Sequence, residues 1–359
     1  MTILVVETQA QYVWNFRREI IQALISQGDK VIVATLDDGY QDKLKDIGCE
    51  TLTLTFNQHG LNPLADFFLV FKLLGIIKEK DPDTILTYTT KPNIYASLAA
   101  QITRTPYLVN ITGMGTALTH EGLVQNLMLL MYRVAFAKAK VVFFQNKMNK
   151  QFFLDMRLVK GKYVMLPGSG VNLDRFSLLE YPKSEKIEFA FISRVIKEKG
   201  IDLYLQVAER LKDQCVFHIC GSCTDEYREL IIKKNQNGII VYHGNIANVH
   251  AFLTNIHCVI HPSYYPEGIS NVLLESMASA RPIITTENVG CCECVREGKN
   301  GYIIPIKNVD ALYNSVLKFL ALSYFERRSM GLAGRMIAEN RFDRNVIVRD
   351  YVRVINALK

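Results

Sequence analysis

No stretch of the 359 residues reaches about 18 uncharged apolar positions, the length at which a membrane-spanning helix becomes the natural reading. The opening residues, Met1-Thr2-Ile3-Leu4-Val5-Val6-Glu7, have no basic lead and no small-residue cleavage site. They read as a buried strand, and an export signal is not expected. Cysteine occurs eight times but never as two clean Cys-x2-Cys pairs. Cys220-Gly221-Ser222-Cys223 and Cys291-Cys292-Glu293-Cys294 fall at strand ends where small residues fit, so free thiols are expected rather than zinc ligands. Eight thiols without an export signal point to a reducing cytoplasm. A dinucleotide fingerprint is missing: Gly113-Met114-Gly115 has no third glycine, and no acid follows at the usual distance, which argues against a dehydrogenase. Asp81-Pro82-Asp83 precedes a strand, on the side away from the ligand-binding strand ends, so it is not read as a metal site. No cofactor and no metal are expected, and no side chain stands out as a nucleophile.

What is present is the composition of a soluble globular protein, 49% hydrophobic and 21% charged. The length suits two domains, each with its own core. The net charge of +7 is unevenly placed. Arg133, Lys138, Lys140, Lys147, Lys150, Arg157, Lys160 and Lys162 stand against Asp155 alone, a net +7 within 30 residues. Leu129, Leu130, Met131, Val134 and Phe136 lie nearby. Such a segment is either a solvated helix face or a surface that meets anionic lipid or a diphosphate-bearing substrate. Nucleic acid is the weakest reading, because no binding module or aromatic platform accompanies the charge.

Short apolar runs alternate with helical patterns, the signature of parallel sheets covered on both faces. Strands are expected over 2–7, 30–35, 50–54, 84–88, 107–110, 141–145 and 163–166, with helices over 13–27, 64–80 and 123–139. A polar, Pro-containing linker follows at Leu178-Leu179-Glu180-Tyr181-Pro182-Lys183-Ser184-Glu185-Lys186. The pattern restarts over 187–192 and continues near 216–220, 239–242, 258–260 and 282–285, and a last helix is expected over about 344–358. The fold class is therefore α/β, two doubly wound Rossmann-like domains facing a central cleft. Ligands of such sheets bind beyond the carboxyl ends of the strands.

The most informative stretch is Glu267-Gly268-Ile269-Ser270-Asn271-Val272-Leu273-Leu274-Glu275. A small-residue turn runs straight into a helix, whose N-terminal amides and partial positive charge suit phosphate. Glu267 stands before the turn, where it can face a ligand's hydroxyls. Glu275 lies farther along the helix, and its carboxylate can accept from a pair of vicinal hydroxyls such as those of a ribose. A sugar–diphosphate–nucleoside has that order of parts. After the strand at 187–192 comes Ser193-Arg194-Val195-Ile196-Lys197-Glu198-Lys199-Gly200. Arg194 offers a bidentate fork and Lys199 a point charge, and both suit a diphosphate.

Arg194 and Lys199 with Glu267-x7-Glu275 resemble the retaining, GT-B-fold glycosyltransferase family numbered four. Gly168-Ser169-Gly170-Val171-Asn172-Leu173-Asp174-Arg175-Phe176 and Glu293-Cys294-Val295-Arg296-Glu297-Gly298-Lys299-Asn300-Gly301-Tyr302 are further matches, and the resemblance covers almost the whole chain. It implies that Arg194 and Lys199 grip the donor diphosphate and that Glu267 contacts donor-sugar hydroxyls, these three being the catalytic set. Donor binding would fall to Gly221, Gly268, Ile269, Ser270, Asn271, Glu275 at the ribose, and the Asn245-Ile246 backbone at the base. Asn172 departs from the Asp common in the family, at a position read as structural.

The resemblance places the acceptor on residues 1–178 and the nucleotide sugar on 187–340, with 341–359 a helix crossing back to the first domain. Acceptor candidates are Tyr12, Lys91, Asn93, Gly113, Met114, Gly115 and His120, the last because many relatives carry a first-domain histidine near the reacting centre. These features look similar to a subgroup that builds bacterial surface glycans, O-antigen or capsule, on polyprenyl diphosphate. The implied activity is metal-independent, retaining transfer of a sugar from a UDP-sugar to a polyprenyl-diphosphate-linked saccharide. N-acetylhexosamine is the favoured sugar, and the expected place is the inner face of the cytoplasmic membrane, reached through the basic first domain. The alternatives are a nucleotide-sugar epimerase on the same architecture, which would convert donor alone, and a non-catalytic subunit.

Overall fold

The computed structural model describes residues 1–57, 63–113, 118, 122–266 and 268–359, with only the backbone of 63–67. It divides into two compact units, Met1–Ser169 with Arg344–Lys359, and Gly170–Asp343.

In the first unit, seven parallel strands are named in chain order: β1 (Thr2–Gln9), β2 (Lys30–Leu36), β3 (Glu50–Thr53), β4 (Thr84–Tyr88), β5 (Tyr107–Ile111), β6 (Val141–Phe144) and β7 (Lys162–Met165). They are ordered β3-β2-β1-β4-β5-β6-β7. The near-continuous apolar run of β1 has a simple cause. Leu4 and Val6 enter one core with Ile32, Ala34 and Ile85, while Ile3 and Val5 enter a second core with Val31, Val33 and Leu86 on the opposite face. Both faces are covered, so no alternation with polar residues survives. The second core is closed by the C-terminal helix Arg344–Asn356, which contributes Ile347, Tyr351 and Ile355. Its first residue, Arg344, ion-pairs with Glu19 at 3.0 Å and donates to the Asn15 carbonyl at 2.9 Å.

The second unit repeats the winding with six parallel strands, β8 (Ile187–Ile192), β9 (Cys215–Cys220), β10 (Val241–Tyr242), β11 (Cys258–His261), β12 (Ile283–Thr286) and β13 (Gly301–Ile304), in the order β10-β9-β8-β11-β12-β13. Phe189, Phe191, Phe217 and Ile219 fill one face; Ala190 and Val259 face the other. The strand order reverses at β1/β4 in one sheet and at β8/β11 in the other, and ligand crevices of doubly wound sheets form at such switch points.

Several elements differ from expectation. The helix expected over 13–27 is two, Ala10–Phe16 and Arg18–Ser26, broken at the buried Arg17 (φ −128°, ψ −6°). The helix expected over 123–139 stops at Ala135. The strand expected over 239–242 shrinks to its last two residues, because Ile239 and Ile240 are buried as loop. Strand β13 was not anticipated. It lies so close to β12 that a Cβ on Gly301 would stand 1.9 Å from the Ile283 carbonyl oxygen. The stretch expected as a linker is tied down by the fully buried Arg281, whose guanidinium donates to the carbonyls of Glu180 and Leu253, each at 2.8 Å. Burial pulls its pKa down to about 10, so the charge persists at neutral pH.

Candidate donor and acceptor sites

In the second unit the loops leaving β8, β9, β10, β11 and β12 are laced together at the carboxyl end of the sheet. The Ser193 amide donates to the Cys220 carbonyl at 2.9 Å, Val195 to Ser222 at 2.8 Å, and Gly221 to Gly244 at 2.7 Å. Two close approaches require glycine. A Cβ on Gly221 (φ +139°) would lie 1.9 Å from the Ser193 carbonyl oxygen, and one on Gly200 (φ +77°) would lie 2.1 Å from that of Pro262. The second approach sets the turn Lys197–Lys199 against the β11 loop, where the Tyr264 amide donates to the Glu198 carbonyl at 2.9 Å.

That lacing gathers the candidate cations. Arg194 is exposed at the end of β8, whereas Lys199 is 8% exposed. Both turn toward one ring: the Arg194 Cζ lies 5.6 Å and the Lys199 Nζ 5.0 Å from the Tyr265 centroid. The small-residue turn follows at once. Gly268, Ile269 and Ser270 are buried, and Asn271 and Glu275 half-buried, on the helix Asn271–Ala278 or at its start. Ile269 packs its side chain into an apolar core with Leu273, Leu274 and Met277, so its backbone alone can serve a ligand. Ser270 makes no side-chain cap to its helix. Its hydroxyl pairs instead with Nε2 of His261 at 3.2 Å, and its amide donates to the Gly290 carbonyl at 2.9 Å, fastening the turn to the sheet. Asn245 is exposed and Ile246 half-buried beyond β10. Glu267 lies outside the described residues.

Comparisons with known proteins bear on the domain families and the fold. A glycosyl transferase 4-like model matches residues 3–146, and a glycosyl transferases group 1 model matches residues 176–336. The chain carries glycosyltransferase group 1, GT4-like domains. It is 26% identical over 361 residues to the N,N'-diacetylbacillosaminyl-diphospho-undecaprenol alpha-1,3-N-acetylgalactosaminyltransferase of Campylobacter jejuni, covering 95% of each chain. Among solved structures, a glycosyltransferase from Rickettsia africae superposes with a TM-score of 0.81 at 18% identity, over 99% of this chain and 98% of that one. The Anabaena protein Alr3699/HepE, solved in complex with UDP, gives 0.79 at 17% identity over 99% and 100%. The fold is therefore GT-B, two Rossmann-like domains.

In the first unit of this glycosyltransferase the acceptor candidates have unequal standing. Tyr12 is 39% exposed and stacks on Phe16 with centroids 6.5 Å apart. Lys91 is buried in the first turn of the helix Thr90–Thr103. Asn93 is buried with both ends of its amide engaged inside the domain. Its Oδ1 accepts from the Thr87 hydroxyl at 2.8 Å, and its Nδ2 donates to the Asn110 carbonyl at 2.8 Å. Gly113 follows β5 and is half-buried; Met114, Gly115 and His120 lie outside the described residues. Asn172 accepts from the amides of Asp174 and Arg175 at 3.1 and 2.8 Å, a local turn that asparagine closes as well as aspartate. Asp83 accepts from the Thr2 amide at 2.6 Å at the amino-terminal end of the sheet, and all eight cysteines are free.

Sequence reasoning missed two clusters in this glycosyltransferase. At the β1/β4 switch point Glu7 is 1% exposed, and burial pushes its carboxyl pKa up against the opposing pull of Arg17. Beside it, Thr89 holds φ +63°, ψ 166°, a backbone region nearly restricted to glycine, while its hydroxyl meets that of Thr8 at 2.6 Å. Near the loop after β10, the Glu188 carboxylate meets Nε2 of His218 at 2.9 Å, and His218 Nδ1 meets His243 Nε2 at 2.9 Å. The carboxylate places the His218 proton on Nε2, leaving Nδ1 to accept from His243. Burial lowers the pKa of both imidazoles. No pattern within a strand or helix announces these contacts, because every partner comes from a different element.

Proposed function

We propose that this glycosyltransferase moves an N-acetylhexosamine from a UDP-sugar onto a polyprenyl-diphosphate-linked saccharide, in the biosynthesis of a bacterial surface polysaccharide such as O-antigen or capsule. The observation that carries the donor half is the convergence of Arg194 and Lys199 on Tyr265, beside the turn that opens the helix Asn271–Ala278. The acceptor half draws on the Campylobacter relative, whose name gives it a diphospho-undecaprenol substrate. The uridine draws on the UDP bound to a fold neighbour.

Transfer proceeds with retention and without a metal ion. The acceptor hydroxyl attacks the anomeric carbon on the side from which the diphosphate leaves, and the leaving phosphate takes the hydroxyl proton. Arg194, Lys199 and the helix N-terminus, with backbone from Gly268, Ile269, Ser270 and Asn271, absorb the charge that develops on that phosphate. Glu267 holds the sugar hydroxyls and Glu275 the ribose. Gly221, Asn245 and Ile246 bring backbone to the nucleoside, and Tyr12, Lys91 and the loop at Gly113, Met114 and Gly115 take the acceptor. The test is proton NMR of the product formed in EDTA from UDP-N-acetylhexosamine and a short-chain prenyl-diphosphate N-acetylhexosamine. The new anomeric centre should keep the donor's configuration. Inversion would contradict retention, and donor converted without acceptor would indicate an epimerase.

The lipid acceptor brings the enzyme to the inner face of the membrane. Among the described residues no helix is long and apolar enough to cross one. The helix Leu123–Ala135 is nevertheless apolar on both sides. Met128, Tyr132 and Ala135 are buried, while Leu123, Val124, Leu127, Leu130 and Val134 are 88, 53, 49, 54 and 48% exposed. Exposed Arg133 lies in the last turn of that helix, and exposed Lys138, Lys140, Lys147, Arg157, Lys160 and Lys162 follow in the chain, complementary to anionic headgroups. Burying a leucine contributes about 1.5–3 kcal/mol. The double variant L127E/L130E should therefore lose at least about tenfold in affinity for phosphatidylglycerol vesicles while binding UDP as the parent does. Undiminished sedimentation with the vesicles would rule this face out.

A further inference from the structure

The Tyr265 ring faces both candidate diphosphate cations, with the Arg194 Cζ 5.6 Å and the Lys199 Nζ 5.0 Å from its centroid. Its backbone is held from both sides. The Tyr265 amide donates to the Ser263 hydroxyl at 3.2 Å, and its carbonyl accepts from Asn288 Nδ2 at 2.6 Å. Ser263 is itself fully buried, and its carbonyl accepts from the Thr286 hydroxyl. The ring therefore projects from a fixed point between β11 and β12. Arg194 makes no ion pair among the described residues; the ring is the partner it has there.

Two like charges drawn to one place repel each other when no anion is present. An aromatic face offsets part of that repulsion, because its quadrupole attracts a cation within about 6 Å of the centroid. Aliphatic side chains have no such face, and a carboxylate in that position would compete with the incoming diphosphate. A neutral ring gathers the cations without neutralising them.

We propose that Tyr265 is a positioning residue for the donor, holding Arg194 and Lys199 together where the diphosphate binds. It acts on the phosphate end of the ligand and leaves the nucleoside end to Gly221, Asn245 and Ile246. This rests on the reading of Arg194 and Lys199 as the diphosphate grip.

The test is calorimetric titration of the full chain with UDP and, separately, with uridine, in wild type and in the Y265L, Y265F and R194A variants. Two cation–π contacts at a partly exposed site correspond to about a tenfold change in affinity. Y265L should bind UDP about tenfold more weakly than wild type and bind uridine unchanged, and Y265F, which keeps the ring, should restore UDP binding. Equal losses for UDP and uridine in Y265L would mean that the ring only packs the loop, and tighter UDP binding would mean that it obstructs the site; either overturns the proposal. If R194A loses UDP while Y265L does not, Tyr265 alone is misassigned. If wild type fails to bind UDP, or R194A binds it undiminished, the diphosphate grip itself is wrong.

Discussion

Replacing Arg194 by alanine is expected to lower kcat by about 10²–10³, the cost of removing one preorganised group that meets charge developing in the transition state. The expectation follows from placement. Arg194 stands at the carboxyl end of β8, next to the switch point, on a loop tied to the β9 loop by the Ser193–Cys220 and Val195–Ser222 hydrogen bonds. Its exposed guanidinium has no carboxylate partner among the described residues, so it keeps its charge for a ligand. Lysine should recover only part of the loss, since a point charge does not reproduce a planar fork on a phosphate. Single-turnover kinetics at saturating donor measure the effect on the chemical step. A loss below threefold in R194A would remove the residue from the charge-stabilising set.

Substituting alanine at Gly221 should be the most damaging small change in the second unit. The added Cβ would meet backbone, 1.9 Å from the Ser193 carbonyl oxygen and 2.6 Å from its carbon, at φ +139°. No rotamer relieves that clash. Relief requires separating the β8 and β9 loops and breaking the Gly221–Gly244 bond of 2.7 Å. Backbone strain and overpacking together should cost about 3 kcal/mol or more. For a unit of this size that lowers the melting temperature by roughly 6–12 °C. Gly238→Ala is the matched control, since its φ is +69° but a Cβ there meets nothing within 4 Å. It should cost only about 1 kcal/mol. Equal destabilisation of the two variants in calorimetry would contradict the steric argument.

Much of this architecture was legible because parallel strands buried on both faces announce themselves as unbroken apolar runs. The bounds of β4 and β8 match expectation residue for residue. Edge strands were harder. β10 keeps two residues, and β13 hides as four residues after a turn, in a stretch matched only as a motif. The break at Arg17 was invisible because the residues on either side continue the helical pattern, and only the fold shows its guanidinium seated over the Tyr88 ring at 4.4 Å. At the proposed donor site, the placement of Arg194, Lys199 and the turn before Asn271 beyond strand ends was legible in the sequence. Tyr265 was not, because its meaning lies in two cations brought from the β8 loop. Asn93 shows the converse. In sequence it is a polar residue after a strand, whereas in the fold its amide is engaged by Thr87 and Asn110.

The central claim is that a UDP-sugar is the donor and a prenyl-diphosphate saccharide the acceptor. Its most direct test measures UDP release and product mass from a panel of UDP-sugars, each with and without a short-chain prenyl-diphosphate-linked N-acetylhexosamine, in EDTA. The account predicts UDP release that depends on acceptor, with a product one N-acetylhexosamine heavier. No UDP release from any donor in the presence of that acceptor would contradict it.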